Sequence, residues 1–130
     1  IMTNYYKRDF LSTPNTYVAR DLWRRSDIQA ADVHCAQLYD AFTPLVLLSL
    51  EGYGFCERGE GAEFSNDGNL EIGGRLPVNT SGGLLRKGHP VGATGVAQIV
   101  ELALQLQGRA GKRQVEGAKI ALAIHQELVP

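Results

Sequence analysis

An α/β fold, helices alternating with the strands of a mixed sheet, is what this sequence predicts, and three observations predict it. Segments of helical and strand-like patterning alternate along the chain. Ala118–His125, AKIALAIH, is almost continuously apolar, as buried strands of parallel or mixed sheets require. Ala93–Gly108 is a helical segment whose polar stripe is so thin that it belongs in a buried layer.

The elements follow in order. Ser12–Asp27 reads as a helix with Thr13 as N-cap and Pro14 at its first position. Tyr17, Val18, Leu22 and Trp23 form its apolar side, and Arg20, Asp21, Arg24 and Arg25 face out. The arginines invite a phosphate-site reading, and a solvated helix face is preferred. Asp32–Phe42 starts as an apolar strand and ends in a turn. A second helix begins at Thr43 as cap with Pro44 in its first turn, and ends at Gly52 or Gly54. Its leucines predict burial. Cys56–Asn69 is a polar, glycine-rich loop with room for one helical turn. Arg75–Gly83 reads as a short strand entering a glycine turn. In the helix from Ala93, Gln98, Glu101 and Gln105 share the polar stripe, with Val96, Ile99, Val100, Leu102, Ala103, Leu104 and Leu106 around it. An exposed charged turn then leads to the last strand.

Composition removes several function classes. The chain has 130 residues, 44% hydrophobic and 21% charged, with a net charge of −1. That balance gives no electrostatic case for nucleic acid or an anionic membrane as main partner. Apolar runs such as Leu45–Leu48 are too short to span a bilayer. Two cysteines, Cys35 and Cys56, make no disulfide framework, which fits a reducing, cytoplasmic setting. No resident metal or covalently bound cofactor is expected. The last residues, 127–130, read as a tail foreign to a domain covering 1–126.

The chemistry concentrates in Gly82–Gly95, GGLLRKGHPVGATG. A nucleoside-triphosphate loop is excluded, because Lys87 precedes Gly88 and a histidine follows it. The dinucleotide fingerprint is missing too, since Gly88, Gly92 and Gly95 are spaced four and three apart. His89 lies just before a helix N-terminus, whose free N–H groups favour a neutral imidazole. A neutral imidazole can take a proton or donate to an oxyanion. Pro90 restricts the turn beside it. From one histidine alone, a ring that merely satisfies loop carbonyls is the preferred reading.

The wider stretch, Asn79–Val115, changes that. Together with DVHCAQLYDAFTPLVLLSLEGYGFCERGE it closely resembles the C-terminal half of thiolases, nearest to the sterol-carrier-protein-type and lipid-transfer-like branches. The resemblance runs from Tyr5 to Gln126, and GHPxGATG is its most specific part. It implies half of an αβαβα sandwich and C–C bond chemistry next to a CoA thioester, with coenzyme A as substrate or product. It also implies an N-terminal half that carries the nucleophilic cysteine, a homodimer, and His89 as a catalytic residue. Asn79, Ser81, Gly82, Gly83, Gly88 and Gly92 would then shape the substrate and CoA pocket.

Two departures bear on the reaction. The family's asparagine or histidine turn reads YDAF here, so Tyr39 stands at the catalytic position and Ala41 replaces the cysteine of one branch. The end, AIHQELVP, carries no cysteine. Cys35 and Cys56 read as ordinary residues, His34 carries no special signal, and His125 reads as structural. Without an acid/base cysteine a Claisen-type cleavage lacks a partner, whereas a retro-aldol cleavage needs only a base and an acid. The thiolase-like aldolases of steroid side-chain breakdown resemble this case. They use a tyrosine in this turn and associate with an OB-fold partner, but tend to replace the GHP histidine. Tyr39 is therefore assigned to catalysis slightly ahead of packing, with Asp40 and Phe42 holding the turn by hydrogen bonding and packing. Retro-aldol and thiolytic chemistry on a lipid- or steroid-like acyl-CoA both stay open. The alternative is a non-catalytic thiolase-like subunit, a scaffold or lipid-CoA binder.

Overall fold

The structure is a computed structural model, and it describes residues 13–90 and 92–125. Seven main elements follow in order: α1 (Pro14–Arg25), β1 (Cys35–Leu38), α2 (Thr43–Gly52), α3 (Gly61–Asn66), α4 (Gly83–Lys87), α5 (Thr94–Leu106) and β2 (Ala121–Ile124). β1 and β2 pair in parallel, with Cys35 opposite Ala121 and Leu38 opposite Ile124. On the other side of β1, the segment expected as a strand makes one parallel bridge, Ala36 with Val78. Its ladder stops there because Asn79 turns into the left-handed region, φ 51°. The asparagine side chain takes over: its Oδ1 accepts the Leu38 N–H at 2.8 Å.

Strand alternation divides the core between two faces. Ala36, Leu38 and Ile124 pack with Leu50, Tyr53, Phe55 and Phe64 under α1, α2 and α3. Cys35, Ala121 and Ala123 pack with Leu102 of α5 and Val115 on the opposite face. Helices thus cover the sheet on both sides, as in an α/β fold. Among the described residues, no helix is long and apolar enough to cross a membrane.

Two helices leave outside apolar residues expected to be buried: part of the apolar side in α1, where Trp23 does pack on the core, and most of it in α5. In α1 the residues expected to be buried, Tyr17 and Val18, are 60% and 55% exposed, while Asn15 and Ala19 are buried. Asn15 Nδ2 donates to the buried Ser49 Oγ at 3.0 Å, and Trp23 Nε1 donates to Tyr53 O. A Cβ on Gly52 would come within 3.0 Å of the Asn15 Cβ, so α1 and α2 cross closely through small and polar groups. The arginines of α1 lie on a solvated face, where Asp21 pairs with Arg24 and Arg25 at 2.8 Å each. Helix α2 starts one residue earlier than expected: Phe42 is the cap position and Thr43 the first helical residue.

In α5 the contrast is sharper. Thr94, Gln98, Glu101, Leu102 and Gln105 are buried at helical spacing, so the polar stripe faces the sheet. Val96, Ile99 and Val100 are 65%, 59% and 53% exposed. The stripe is buried because its long polar side chains find partners there. Glu101 Oε1 accepts from Thr80 Oγ1 at 3.1 Å and Arg113 Nε at 3.2 Å, and its Oε2 accepts from Arg113 Nη2 at 2.9 Å. Gln105 donates to Arg113 O and accepts from Val115 N. Burial raises the Glu101 carboxyl, but the hydrogen bonds from Arg113, Thr80 and Gln105 and the Arg113 charge outweigh it, leaving the group below its ordinary range.

A carboxylate lowered on folding contributes stability that is present above its unfolded pKa and lost as pH falls through its folded one. Thermal unfolding followed by circular dichroism should show the melting temperature falling below about pH 4. Glu101→Gln should cost ~1–3 kcal/mol at neutral pH and flatten that acid limb. An unchanged acid limb in the variant would refute the assignment.

Candidate active site

Tyr39 and His125 are the residues that follow β1 and β2. Since Leu38 is paired with Ile124, the register sets them side by side. Their rings meet edge-on, centroids 5.4 Å apart at 84°. This is the carboxyl end of the parallel strands, where open α/β sheets bind ligands. A larger cleft, about 660 Å³, lies at the other end, around His34, Arg75 and Ile120, and holds none of the expected site residues.

His89 reaches Tyr39 from the loop before α5. The Tyr39 hydroxyl lies 3.1 Å from His89 Nε2, and the two rings are also edge-on, 5.5 Å apart. Tyr39 is buried and His89 exposed, so the pair forms a floor and a rim. On its other side, His89 Nδ1 lies 2.8 Å from Thr94 Oγ1. The Thr94 hydroxyl has one proton and donates it to Pro90 O at 3.2 Å. With that proton committed to Pro90, we assign the His89 hydrogen to Nδ1, donating to Thr94. That leaves Nε2 as a bare lone pair, and the Tyr39 O–H donates to it. The chain of bonds is directional: the tyrosine proton points at a base whose tautomer Thr94 fixes.

The turn around Tyr39 is held largely as expected. The buried Asp40 Oδ1 accepts the Leu84 N–H at 2.8 Å and so fastens the start of α4 to the end of β1. A Cβ on Gly83 would collide with the Asp40 carboxylate, and its φ of +62° is itself unfavourable to side chains. Gly83 thus approaches a carboxylate of its own chain. Gly82 turns at φ +97° against the Arg86 side chain. Gly88 and Gly92 also have positive φ, beside open space. Phe42 does not hold the turn by packing: its side chain is 60% exposed, and its carbonyl serves instead, accepting the Leu45 N–H. Asn79 sits at the site's edge with its carbonyl side-chain oxygen committed to β1. Ser81 Oγ lies 3.4 Å from Gln37 Oε1.

Neither cysteine offers a nucleophile. Cys35 is buried, and burial, with the Glu101 charge, pushes its thiol up to about 11. Cys56 is raised too, chiefly by burial. Among the described residues, no group of three or more His, Cys, Asp or Glu side chains is placed to hold a metal ion. The sequence reading missed Thr94 and the contact of His125 with Tyr39. The first had a signal, a hydroxyl five residues after His89; the second required the strand register.

Thr94→Val keeps the shape and removes the acceptor. The ¹⁵N shifts of the His89 ring should show the proton on Nδ1 in the natural protein and a tautomer mixture in the variant. Thr94→Ser should restore the single tautomer. A proton found on Nε2 in the natural protein would contradict the assignment.

Comparison with known proteins identifies the family. The family described as "Thiolase C-terminal domain-like" matches residues 3–127. Sterol carrier protein 2 of Homo sapiens is 47% identical over 104 residues, 80% of this chain and 19% of that protein. The 17-hydroxy-3-oxo-4-pregnene-20-carboxyl-CoA lyase of Mycobacterium tuberculosis is 44% identical over 108 residues, 82% of this chain and 27% of that one. A solved structure, the Ltp2-ChsH2(DUF35) aldolase, superposes with a TM-score of 0.84 at 40% identity, covering 92% of this chain and 30% of its own. The chain thus spans 19% to 27% of the length of these two curated relatives. It belongs to the thiolase family, as a C-terminal domain.

Proposed function

We propose that the protein containing this domain is a retro-aldolase, cleaving the carbon–carbon bond between Cα and Cβ of a lipid- or steroid-like β-hydroxyacyl-CoA. The observation that carries the reading is the 3.1 Å contact of the Tyr39 hydroxyl with His89 Nε2. His89 takes the phenol proton, and the phenolate removes the proton of the β-hydroxyl. The C–O bond becomes a carbonyl, the Cα–Cβ bond breaks, and its electron pair enters the thioester as an enolate. The proton held by the pair returns to Cα, giving a ketone or aldehyde and a shortened acyl-CoA. No thiol is needed, which suits a chain whose Cys35 is buried with a raised pKa. Similarity to the solved aldolase and to the CoA lyase supports the same reading.

Tyr39→Phe in the full-length protein removes the proton without the ring. Cleavage of a β-hydroxyacyl-CoA, followed by release of the shortened acyl-CoA, should fall ~10²–10⁴-fold. Unchanged cleavage would end the aldolase reading. CoA-thioester binding with no cleavage by the natural protein would favour the scaffold or lipid-CoA binder.

The same proposal includes an N-terminal half. Val96, Ile99, Val100 and Leu106 of α5 are exposed at helical spacing, a continuous apolar face on a helix whose other side is buried. A second sheet laid on that face would complete the αβαβα layering. A homodimer and an OB-fold partner belong to this reading as well, and the solved Ltp2-ChsH2(DUF35) aldolase is itself named for two components. Ile99→Glu should lower the stability of the full-length protein by ~2–4 kcal/mol in urea unfolding. Lys119→Glu, at an exposed position before β2, should change it by less than ~0.5 kcal/mol. Equal, small effects would show that α5 is not covered.

A further inference from the structure

Behind the Tyr39–His89 pair the structure holds two carboxamides whose hydrogen bonding is incomplete. Gln37 lies on β1, two residues before Tyr39, and is 2% exposed. Gln98 lies one turn after Thr94 on the inner face of α5 and is 4% exposed. Gln98 Nε2 donates to the carbonyls of Ile124 and Gln37, at 3.2 and 3.5 Å. Those bonds fix the orientation of its amide and turn Oε1 the other way. Gln98 Oε1 and Gln37 Nε2 have no hydrogen-bond partner among the described residues. An acceptor and a donor this deeply buried each carry a desolvation cost unless something bonds them.

Both side chains line one cavity of about 30 Å³, with Ser81, Gly88 and Thr94 also on its wall. That volume is room enough for a ligand the size of a water molecule. An unbonded N–H and an unbonded C=O together complement a group that both accepts and donates, as a hydroxyl does. We propose that Gln37 and Gln98 form a hydroxyl-binding site, whose ligand oxygen accepts from Gln37 Nε2 and donates to Gln98 Oε1. Water and a hydroxyl on the acyl chain share this chemistry. A carbonyl oxygen lacks the proton for Gln98, and an ammonium lacks the lone pair for Gln37. Thr94 borders both this cavity and His89, so the site adjoins the catalytic pair directly. The site stands whichever bond the enzyme breaks.

A high-resolution crystal structure of the full-length protein tests it. An ordered oxygen within hydrogen-bond distance of both Gln37 Nε2 and Gln98 Oε1 is expected. An empty cavity, or a direct Gln37–Gln98 side-chain hydrogen bond, would overturn the proposal. Gln37→Leu removes the donor and leaves the Gln98 bonds to the two carbonyls intact. In that variant the oxygen should be lost, and an oxygen retained in the same place would show that the carboxamide pair does not hold it. A second structure with a hydroxylated acyl-CoA identifies the source. If the same oxygen stays, the ligand is water; if a substrate hydroxyl replaces it, the site reads the acyl chain.

Discussion

The rotation of α5 is set by a row of polar side chains, and most of the remaining architecture depends on that rotation. Gln98, Glu101 and Gln105 point at the sheet and its flanking loops rather than at water. A buried carboxylate is tolerable only when surrounded by donors, and Glu101 has Thr80 and both arms of Arg113. Turning the helix by half would expose those partners' remaining groups and bury apolar residues against carbonyls. The register is thus fixed by hydrogen bonding, and the apolar side is left facing outward as a consequence. One set of interactions ties together four parts of the chain: α5, the Thr80 loop, the Arg113 turn and the end of β2.

The site inherits its geometry from that arrangement. Thr94 opens α5 on the same buried face as Gln98, so fixing the helix fixes the threonine. Thr94 then fixes the proton on His89, and His89 meets the Tyr39 hydroxyl. From the other direction, β1 carries Gln37 and leads directly into Tyr39, while Asp40 fastens the next turn to α4. Helix and strand therefore approach along two parallel rungs. One is the Gln98–Gln37 contact and the other is the Thr94–His89–Tyr39 chain. Positional accuracy of this kind is what acid–base chemistry requires, because proton transfer needs both partners within hydrogen-bond reach.

The alternation of helix and strand was legible because it is written locally, in periodicity, proline and glycine. Pro14, Pro44 and Gly52 mark helix ends to within a residue or so. His89 and Tyr39 were legible as candidates through the family resemblance of the two motifs that contain them, GHPxGATG and YDAF. Which face of α1 and α5 turns inward was not legible, because periodicity states only that two faces differ. Burial by the apolar side is a sound default for a helix whose partners all lie in its own chain. It fails for α5, whose polar side has specific acceptors and donors waiting on the sheet. It fails for α1, where Asn15 and Ala19 allow a close crossing over Gly52. The Phe42 side chain misled for a related reason: an aromatic beside a turn need not pack when its backbone carbonyl already does the holding. Likewise His125 has nothing in its neighbourhood along the chain to pair it with Tyr39, and only the β1–β2 register does so.

The outward apolar face of α5 and the exposure of His89 are best understood together. Tyr39 is already withdrawn from water, but the imidazole in contact with its hydroxyl sits at the rim. Excluding water strengthens the attraction between a phenolate and an imidazolium but also strips both ions of hydration, so the position of the proton between the two rings depends on whether the site is covered. Val96 begins the exposed apolar row only two residues beyond Thr94, the residue that holds the imidazole. A surface covering that row would therefore reach close to the rim of the site. The contact that stabilises the fold would then also dry the acid–base pair, making the reactivity of Tyr39 dependent on assembly.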